Sequence, residues 1–366
     1  MKILLLGNSS SGVYSFRKEL LQAILSENGE LYLSMPDADR KKELTGLGCR
    51  YIATEFDRRG MNPVKDFSLF RTYRKLLRDI KPDVVLTYTV KPNVYGGLAC
   101  RLAHVPYIST VTGLGTSLEN PGLLRKLVVF LYRLGLKKAS AVMFQNSTNK
   151  ELFESLHIGR NYHAVSGSGV NLEQHCFEPY PTEDTPVRLI FVGRIMRDKG
   201  INELLEAAKT IKATHPDVQF DLIGGFDEAF QPIVEEAEAN GLVHYLGVQS
   251  EMHGFYKNCW AVVMPSYHEG ICNVCLEGAS TGRPLLASNV PGCMETFDDG
   301  VSGIGFEAKS ASALSEAIEK FLALPYAQKV AMGAAGRKKM EQEFDREQVV
   351  QAYLYQINEA GKETKK

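Results

Sequence analysis

Short apolar runs of strand length alternate with segments of helical period along most of this 366-residue chain. KILLL (2–6), ELYLSM (30–35), RYIAT (50–54), DVVLTYT (83–89), PYIST (106–110) and AVMFQ (141–145) read as strands. VYSFRKELLQAIL (13–25) and DFSLFRTYRKLLRDI (66–80) read as helices between them. This alternation predicts an α/β fold: a parallel sheet with helices on both faces. It breaks at VNLEQHCFEPYPTEDTP (170–186), which is acidic, has three prolines and shows no period. An interdomain linker is expected there. The alternation then restarts with VRLIFVG (187–193), FDLIGG (220–225), VHYLG (243–247), WAVVMP (260–265) and RPLLAS (283–288). Two doubly wound domains follow, over 1–172 and 187–345, joined by 173–186. Ligands of open α/β sheets bind beyond the carboxyl ends of the strands. Two such edges facing across a cleft would suit an enzyme that joins two substrates.

Charge adds an asymmetry. Residues 1–175 hold 24 Lys and Arg against 15 Asp and Glu, while the remainder holds 18 against 28. A basic first half suits an anionic partner such as a phosphorylated substrate or a phospholipid surface. The apolar run after Met1 ends after about five residues, short of the ~7–15 of a signal peptide core. No stretch reaches the ~18 apolar residues of a membrane span. Seven scattered cysteines predict reduced thiols. Cys272 and Cys275 form a CxxC, but with no second pair and no nearby His pair it is a poor zinc or redox motif.

Three segments carry candidate chemistry. GNSSSGVYSF (7–16) is a Gly/Ser turn into a helix, where free amides favour phosphate. It is not GxGxxG, and neither is GLGTSL (113–118). GRIMRDKG (193–200) follows a strand and offers Arg194 and Lys199 to neutralise a diphosphate. PSYHEGICNVCLEGASTGRPLLASNVPGCMET (265–296) places Glu269 and Gly270 in a loop that becomes a helix. The amides of Ile271, Cys272, Asn273 and Val274 are expected at that helix start, ready for phosphate oxygens. Glu277, one turn in, can accept two hydrogen bonds from a vicinal diol. DAD (37–39) lies in a polar loop and reads as solvated surface.

GRIMRDKG together with PSYHEG…LEGASTGRPLLASNVPGCMETFDDGVSG resembles the GT-B glycosyltransferases of family 4. The likeness is nearest to the bacterial enzymes that build capsule, O-antigen and related lipid-linked glycans. It implies two Rossmann-like domains facing across a cleft, with the terminal helix (346–366) packing back on the first. It implies that Arg194 and Lys199 bind the donor diphosphate and stabilise it as it leaves. Glu277 would hold the ribose. Glu269 would meet the donor sugar, by hydrogen bonds or by stabilising positive charge near the anomeric carbon. Gly12 would let the first loop approach the donor phosphate, and Val248 marks where the backbone meets the base. Many members place a His against the donor sugar. The matching stretch STVTGLG (109–115) has none, and Thr110, Thr112 or Gly113 stands there.

The resemblance further implies a retaining transfer from a UDP-sugar, with GDP-mannose as the alternative nucleotide. The cations would serve as a preorganised anion site, so no metal or other cofactor is expected. The acceptor is expected to be lipid-linked. Basic and aromatic residues interleave in VKDFSLFRTYRKLLRDI (64–80) and GLLRKLVVFLYRLGLKKA (122–139), which suits an anionic membrane surface. Lys91, Thr112 and Gly113 are candidate acceptor contacts. A cytoplasmic protein lying on the inner face of the membrane is expected, with no nucleic-acid partner. The alternatives are a 2-epimerase of the same fold, a dinucleotide oxidoreductase and a non-catalytic binding module. The missing GxGxxG and ribose acid argue against the oxidoreductase.

Overall fold

The structure is a computed structural model that describes residues 1–57, 60, 62–113, 122–227 and 229–363. Most of GLGTSL, residues 114–118, lies outside the described residues. The chain divides into two compact units, Met1–Ser168 with Arg346–Lys366, and Gly169–Asp345.

The first unit is built on seven parallel strands: β1 (Lys2–Leu6), β2 (Glu30–Met35), β3 (Arg50–Ala53), β4 (Val84–Tyr88), β5 (Tyr107–Val111), β6 (Ala141–Phe144) and β7 (Tyr162–Ala164). Their order is β3-β2-β1-β4-β5-β6-β7, so the winding reverses between β1 and β4. Strand pleating sorts the apolar runs onto two faces. Ile3, Leu5, Val84 and Leu86 bury against Val350, Tyr353 and Ile357 of the helix Arg346–Glu363. Leu4, Leu6 and Val85 bury against Leu69, Tyr73 and Leu77 of the helix Pro63–Ile80. The terminal helix is tied in by Arg346, which pairs with Glu19 at 3.0 Å, and by Tyr353, whose hydroxyl lies 2.8 Å from that of Thr110.

The second unit has six parallel strands: β8 (Arg188–Val192), β9 (Gln219–Ile223), β10 (His244–Tyr245), β11 (Ala261–Met264), β12 (Leu285–Ser288) and β13 (Gly303–Phe306). The order is β10-β9-β8-β11-β12-β13, with the reversal between β8 and β11. Those two strands pair directly, Ala261 with Leu189 and Val262 with Ile190.

Two sequence expectations need correction here. The first unit ends at Ser168, not at residue 172, and the stretch 173–186 belongs to the second unit. Tyr180 is buried and donates from its hydroxyl to the Trp260 carbonyl at 2.6 Å. The wholly buried Arg283 donates to the carbonyls of Glu178 and Pro179 at 3.1 and 2.8 Å. The aperiodic stretch was expected to be an interdomain linker, but the buried guanidinium satisfies its carbonyls and holds it to the second unit. Asp37 of the DAD stretch is likewise more than solvated surface, because its carboxylate accepts from the Ser10 amide at 3.0 Å and from the Ser10 hydroxyl.

Candidate active site

Strand order brings the two strongest motifs together. GRIMRDKG leaves the carboxyl end of β8, and PSYHEG leaves that of the neighbouring β11. Both loops therefore open at the reversal of the second sheet, where such folds bind ligands. Two glycines let the backbones approach. Gly200 has φ +74°, and a Cβ there would stand 2.1 Å from the Pro265 carbonyl oxygen. Gly292 has φ +84°, and its Cβ would stand 2.6 Å from the Glu269 carbonyl oxygen. A side chain at either position is excluded by conformation and by space.

Lys199 and Glu269 form an ion pair at the meeting point. Ser266, fully buried, donates to the same carboxylate at 2.8 Å. Burial pushes the Glu269 carboxyl above its usual range, and Lys199 offsets only part of that rise. Burial also opposes the charged form of Lys199, but the Glu269 carboxylate outweighs it and raises the ammonium's pKa. Lys199 is thus a fixed cation. Arg194 pairs with Asp227 and keeps 55% of its side chain exposed, so its guanidinium is open to a ligand from solvent.

Behind this pair the helix Asn273–Ser280 begins. Of the four amides expected to cradle phosphate, that of Cys272 is committed, donating to the Gly292 carbonyl at 2.7 Å. Asn273 and Val274 open the helix and have no intrahelical acceptor, so the expected anion site loses only the Cys272 amide. Ile271 is buried and Gly270 half-buried in the approach. The CxxC thiols and Cys293 are buried and unlinked. Cys275 and Cys293 hydrogen-bond with Cys272 and hold its pKa well below the usual thiol range.

Glu277 lies on the same helix, and the Tyr256 hydroxyl donates to its Oε2 at 2.8 Å. Tyr256 comes from the separate short helix His253–Asn258. Sequence reading missed it, because nothing local to HGFYKN signals a partner twenty-one positions away. Ser266 was more legible, three residues before Glu269. Val248 sits in the loop after β10, 76% exposed, and its side chain packs near Gly225 at the end of β9.

The first-unit candidates fare differently. Gly12 is not in the first loop. It lies inside the helix Ser10–Ser26, where its amide is used by the Ser9 side chain at 3.2 Å. The Asp37 carboxylate already occupies that helix start, so the turn is not an open phosphate cradle. The tight position is Gly7, where a Cβ would meet the Met35 sulfur at 2.8 Å. Lys91 is held in a largely buried pair with Asp66 at 2.7 Å, which Tyr95 also holds. Thr112 and Gly113 follow β5. Thr110 is buried against Tyr353. His104 ends the helix Gly97–Ala103 with φ +56°, a capping role.

Two doubly wound units, one carrying cations and carboxylates at its strand reversal, are the build of a GT-B glycosyltransferase. The family profile described as glycosyl transferases group 1 matches residues 175–339, and that described as glycosyl transferase 4-like matches 2–146. The N,N'-diacetylbacillosaminyl-diphospho-undecaprenol alpha-1,3-N-acetylgalactosaminyltransferase of Campylobacter jejuni is 30% identical, over 88% of this chain and 89% of that one. The capsular polysaccharide biosynthesis glycosyltransferase CapM of Staphylococcus aureus is 26% identical over 76% and 79%. This chain belongs to the group 1 glycosyltransferase family. Among solved structures, Anabaena HepE in complex with UDP and glucose superposes with a TM-score of 0.79 at 17% identity, covering 98% of this chain and all of that one. Sucrose-phosphate synthase from Thermosynechococcus elongatus gives 0.78 at 21%, covering 97% and 98%. Those likenesses are of fold. The oxidoreductase and binding-module alternatives fall with the family assignment.

Proposed function

We propose that this enzyme transfers a hexose or N-acetylhexosamine from a UDP-sugar, with retention, to an undecaprenyl-diphosphate-linked glycan in bacterial surface polysaccharide synthesis. One observation carries the reading: Arg194, Lys199, Glu269 and Glu277 issue from loops and a helix at one strand reversal. The acceptor class is favoured by the Campylobacter relative's name, and the nucleotide by the UDP in the HepE structure.

The chemistry is one of charge management. As the bond between the anomeric carbon and the diphosphate oxygen breaks, UDP gains negative charge and the sugar becomes oxocarbenium-like. Lys199, already fixed, and Arg194, turning from Asp227, neutralise the phosphates. The amides of Asn273 and Val274 add donors that need no reorganisation. Glu269 faces the sugar as hydrogen-bond acceptor or as stabiliser of its positive charge. Glu277, steadied by Tyr256, receives the ribose hydroxyls. The departing phosphate oxygen takes the acceptor hydroxyl's proton on the face it leaves, so configuration is retained and neither a base nor a metal is required at the reacting carbon.

Membrane-surface placement is part of the reading. The helix Leu123–Leu136 leaves Leu123, Leu124, Leu127 and Phe130 exposed among Arg125, Lys126 and Arg133. No helix among the described residues is long and apolar enough to cross a membrane.

The test is a panel of UDP- and GDP-sugars read by thermal shift and by hydrolysis, followed by product analysis. UDP-sugars should stabilise the protein and GDP-mannose should not. Glu269→Ala should lower turnover by about 10²–10³ or more, the scale of one lost electrostatic contact. Arg194→Ala should weaken UDP binding. Wild-type activity in both variants removes the site assignment. Release of an epimerised UDP-sugar without transfer would favour the 2-epimerase instead.

A further inference from the structure

Outside the residues above, the second unit gathers three unlike side chains whose ligating atoms lie within 4.8 Å of one another: Cys176, Glu178 and His253. Cys176 and Glu178 come from the stretch expected to be a linker, and His253 from the helix that carries Tyr256. Cys176 and His253 are 77 residues apart in sequence, so no ligand spacing could announce the group.

The arrangement is informative because thiol and carboxylate converge on one ring nitrogen. The Cys176 Sγ lies 3.6 Å from His253 Nε2, and Glu178 Oε1 lies 3.0 Å from that same atom. In a nucleophilic Cys-His pair the carboxylate holds the opposite nitrogen to orient the ring. Here Nδ1 is buried without a hydrogen-bond partner. The group is thus not built to activate a thiol. Its two edges at Nε2 are close to those of a tetrahedral metal site. A metal with bonds of about 2.3 Å to sulfur and about 2.0–2.1 Å to nitrogen or oxygen separates S from N by about 3.5 Å and N from O by about 3.3 Å. The two edges at Nε2 need adjustments of only a few tenths of an ångström, and the third, from sulfur to carboxylate, lies within 4.8 Å and closes as the ion draws the ligands in. Lys257 takes the other carboxylate oxygen, Oε2, at 3.1 Å, which leaves Oε1 turned towards His253.

We propose that Cys176, Glu178 and His253 form a binding site for a borderline-soft divalent cation of the Zn²⁺ class, with water completing the tetrahedron. Thiolate, imidazole and carboxylate are the ligand types Zn²⁺ prefers. The Cys176 side is exposed, so the ion can enter from solvent. None of the three ligands belongs to the donor site, and the chemistry above does not route through the ion. Bound there, it would clasp the 173–186 stretch to the helix His253–Asn258. The nearby Lys257 charge and the unpartnered Nδ1 lower the affinity below that of closed four-ligand sites.

The probe is Co²⁺ titrated into metal-stripped, reduced, full-length protein. One equivalent should give thiolate-to-cobalt charge-transfer absorption in the near ultraviolet, displaced by Zn²⁺. Cys176→Ser, at an exposed position, should abolish that band. His253→Ala should weaken binding at least tenfold, and His215→Ala, at another surface His–Glu pair, should leave it unchanged. Absence of the band in the wild-type protein, or its survival in Cys176→Ser, overturns the proposal. Neither result depends on glycosyl transfer, so the proposed function stands or falls separately.

Discussion

At the residue scale, the contact between Tyr256 and Glu277 is where the proposed donor site can be tested. Tyr256 is fully buried, and burial, followed by the adjacent Glu277 charge, raises its pKa well above the usual phenol value. The hydroxyl therefore keeps its proton throughout the working pH range and always donates. A hydrogen bond to a charged group contributes about 1.5–3 kcal/mol. Tyr256→Phe should let the carboxylate swing and, if Glu277 holds the ribose as proposed, should raise the donor KM about tenfold while kcat changes far less, because such a contact is made equally in ground and transition states. Steady-state kinetics across donor concentrations check this. An unchanged KM, or a loss confined to kcat, would detach Tyr256 from donor binding. Glu269 and Glu277 were legible as carboxylates eight positions apart. Tyr256 was not, because its role exists only once two helices are neighbours.

At the scale of elements, Arg283 explains why an aperiodic stretch is ordered. Its Nε donates to the Tyr256 carbonyl at 2.9 Å, and its two terminal nitrogens reach Glu178, Gly282, Pro179 and Lys257 carbonyls at 2.8–3.1 Å. It also lies over the Tyr180 ring. Burying the charge costs free energy, and its pKa is lowered for that reason, yet five carbonyl partners offset the cost. Arg283→Met leaves several buried acceptors unmatched, each costing about 1–3 kcal/mol, so the second unit should lose about 3 kcal/mol or more. The chain's one tryptophan, Trp260, sits beside Tyr180 and reports this unit by fluorescence during urea unfolding. An unshifted midpoint would mean that the stretch is held by its apolar contacts alone. The strands were readable because β-branched and leucine-rich runs of four to six residues stand between helical segments. The stretch 170–186 was misread because its order comes from a side chain a hundred residues away.

At the scale of the whole molecule, the excess of positive charge in residues 1–175 goes with exposed apolar side chains on two helices of the first unit. Phe67 on the helix Pro63–Ile80 is 60% exposed, and Leu123 on the helix Leu123–Leu136 is 85% exposed, while Tyr73 and Tyr132 of the same helices are buried. An exposed apolar stripe flanked by cations favours an anionic lipid surface. Co-sedimentation should be stronger with anionic than with neutral vesicles and should fall several-fold as salt rises through the range where the Debye length shrinks below about 10 Å. Leu127→Glu with Phe130→Glu should remove most of the binding and leave UDP-sugar hydrolysis in solution intact. Equal binding to both vesicle types would overturn the membrane reading.

The order of residues alone determined the α/β class, the restart of the pattern in a second domain, and which loops carry cations, carboxylates and glycines, because periodicity and residue chemistry are local. Only the tertiary structure decided that β8 and β11 are neighbours, that Tyr256 reaches Glu277, that Lys91 and the Cys272 amide are already engaged, and that Cys176, Glu178 and His253 converge. Those outcomes depend on which distant strands and helices pack together. That choice is made by burial and hydrogen-bond satisfaction across the whole domain, and no short stretch of sequence contains it.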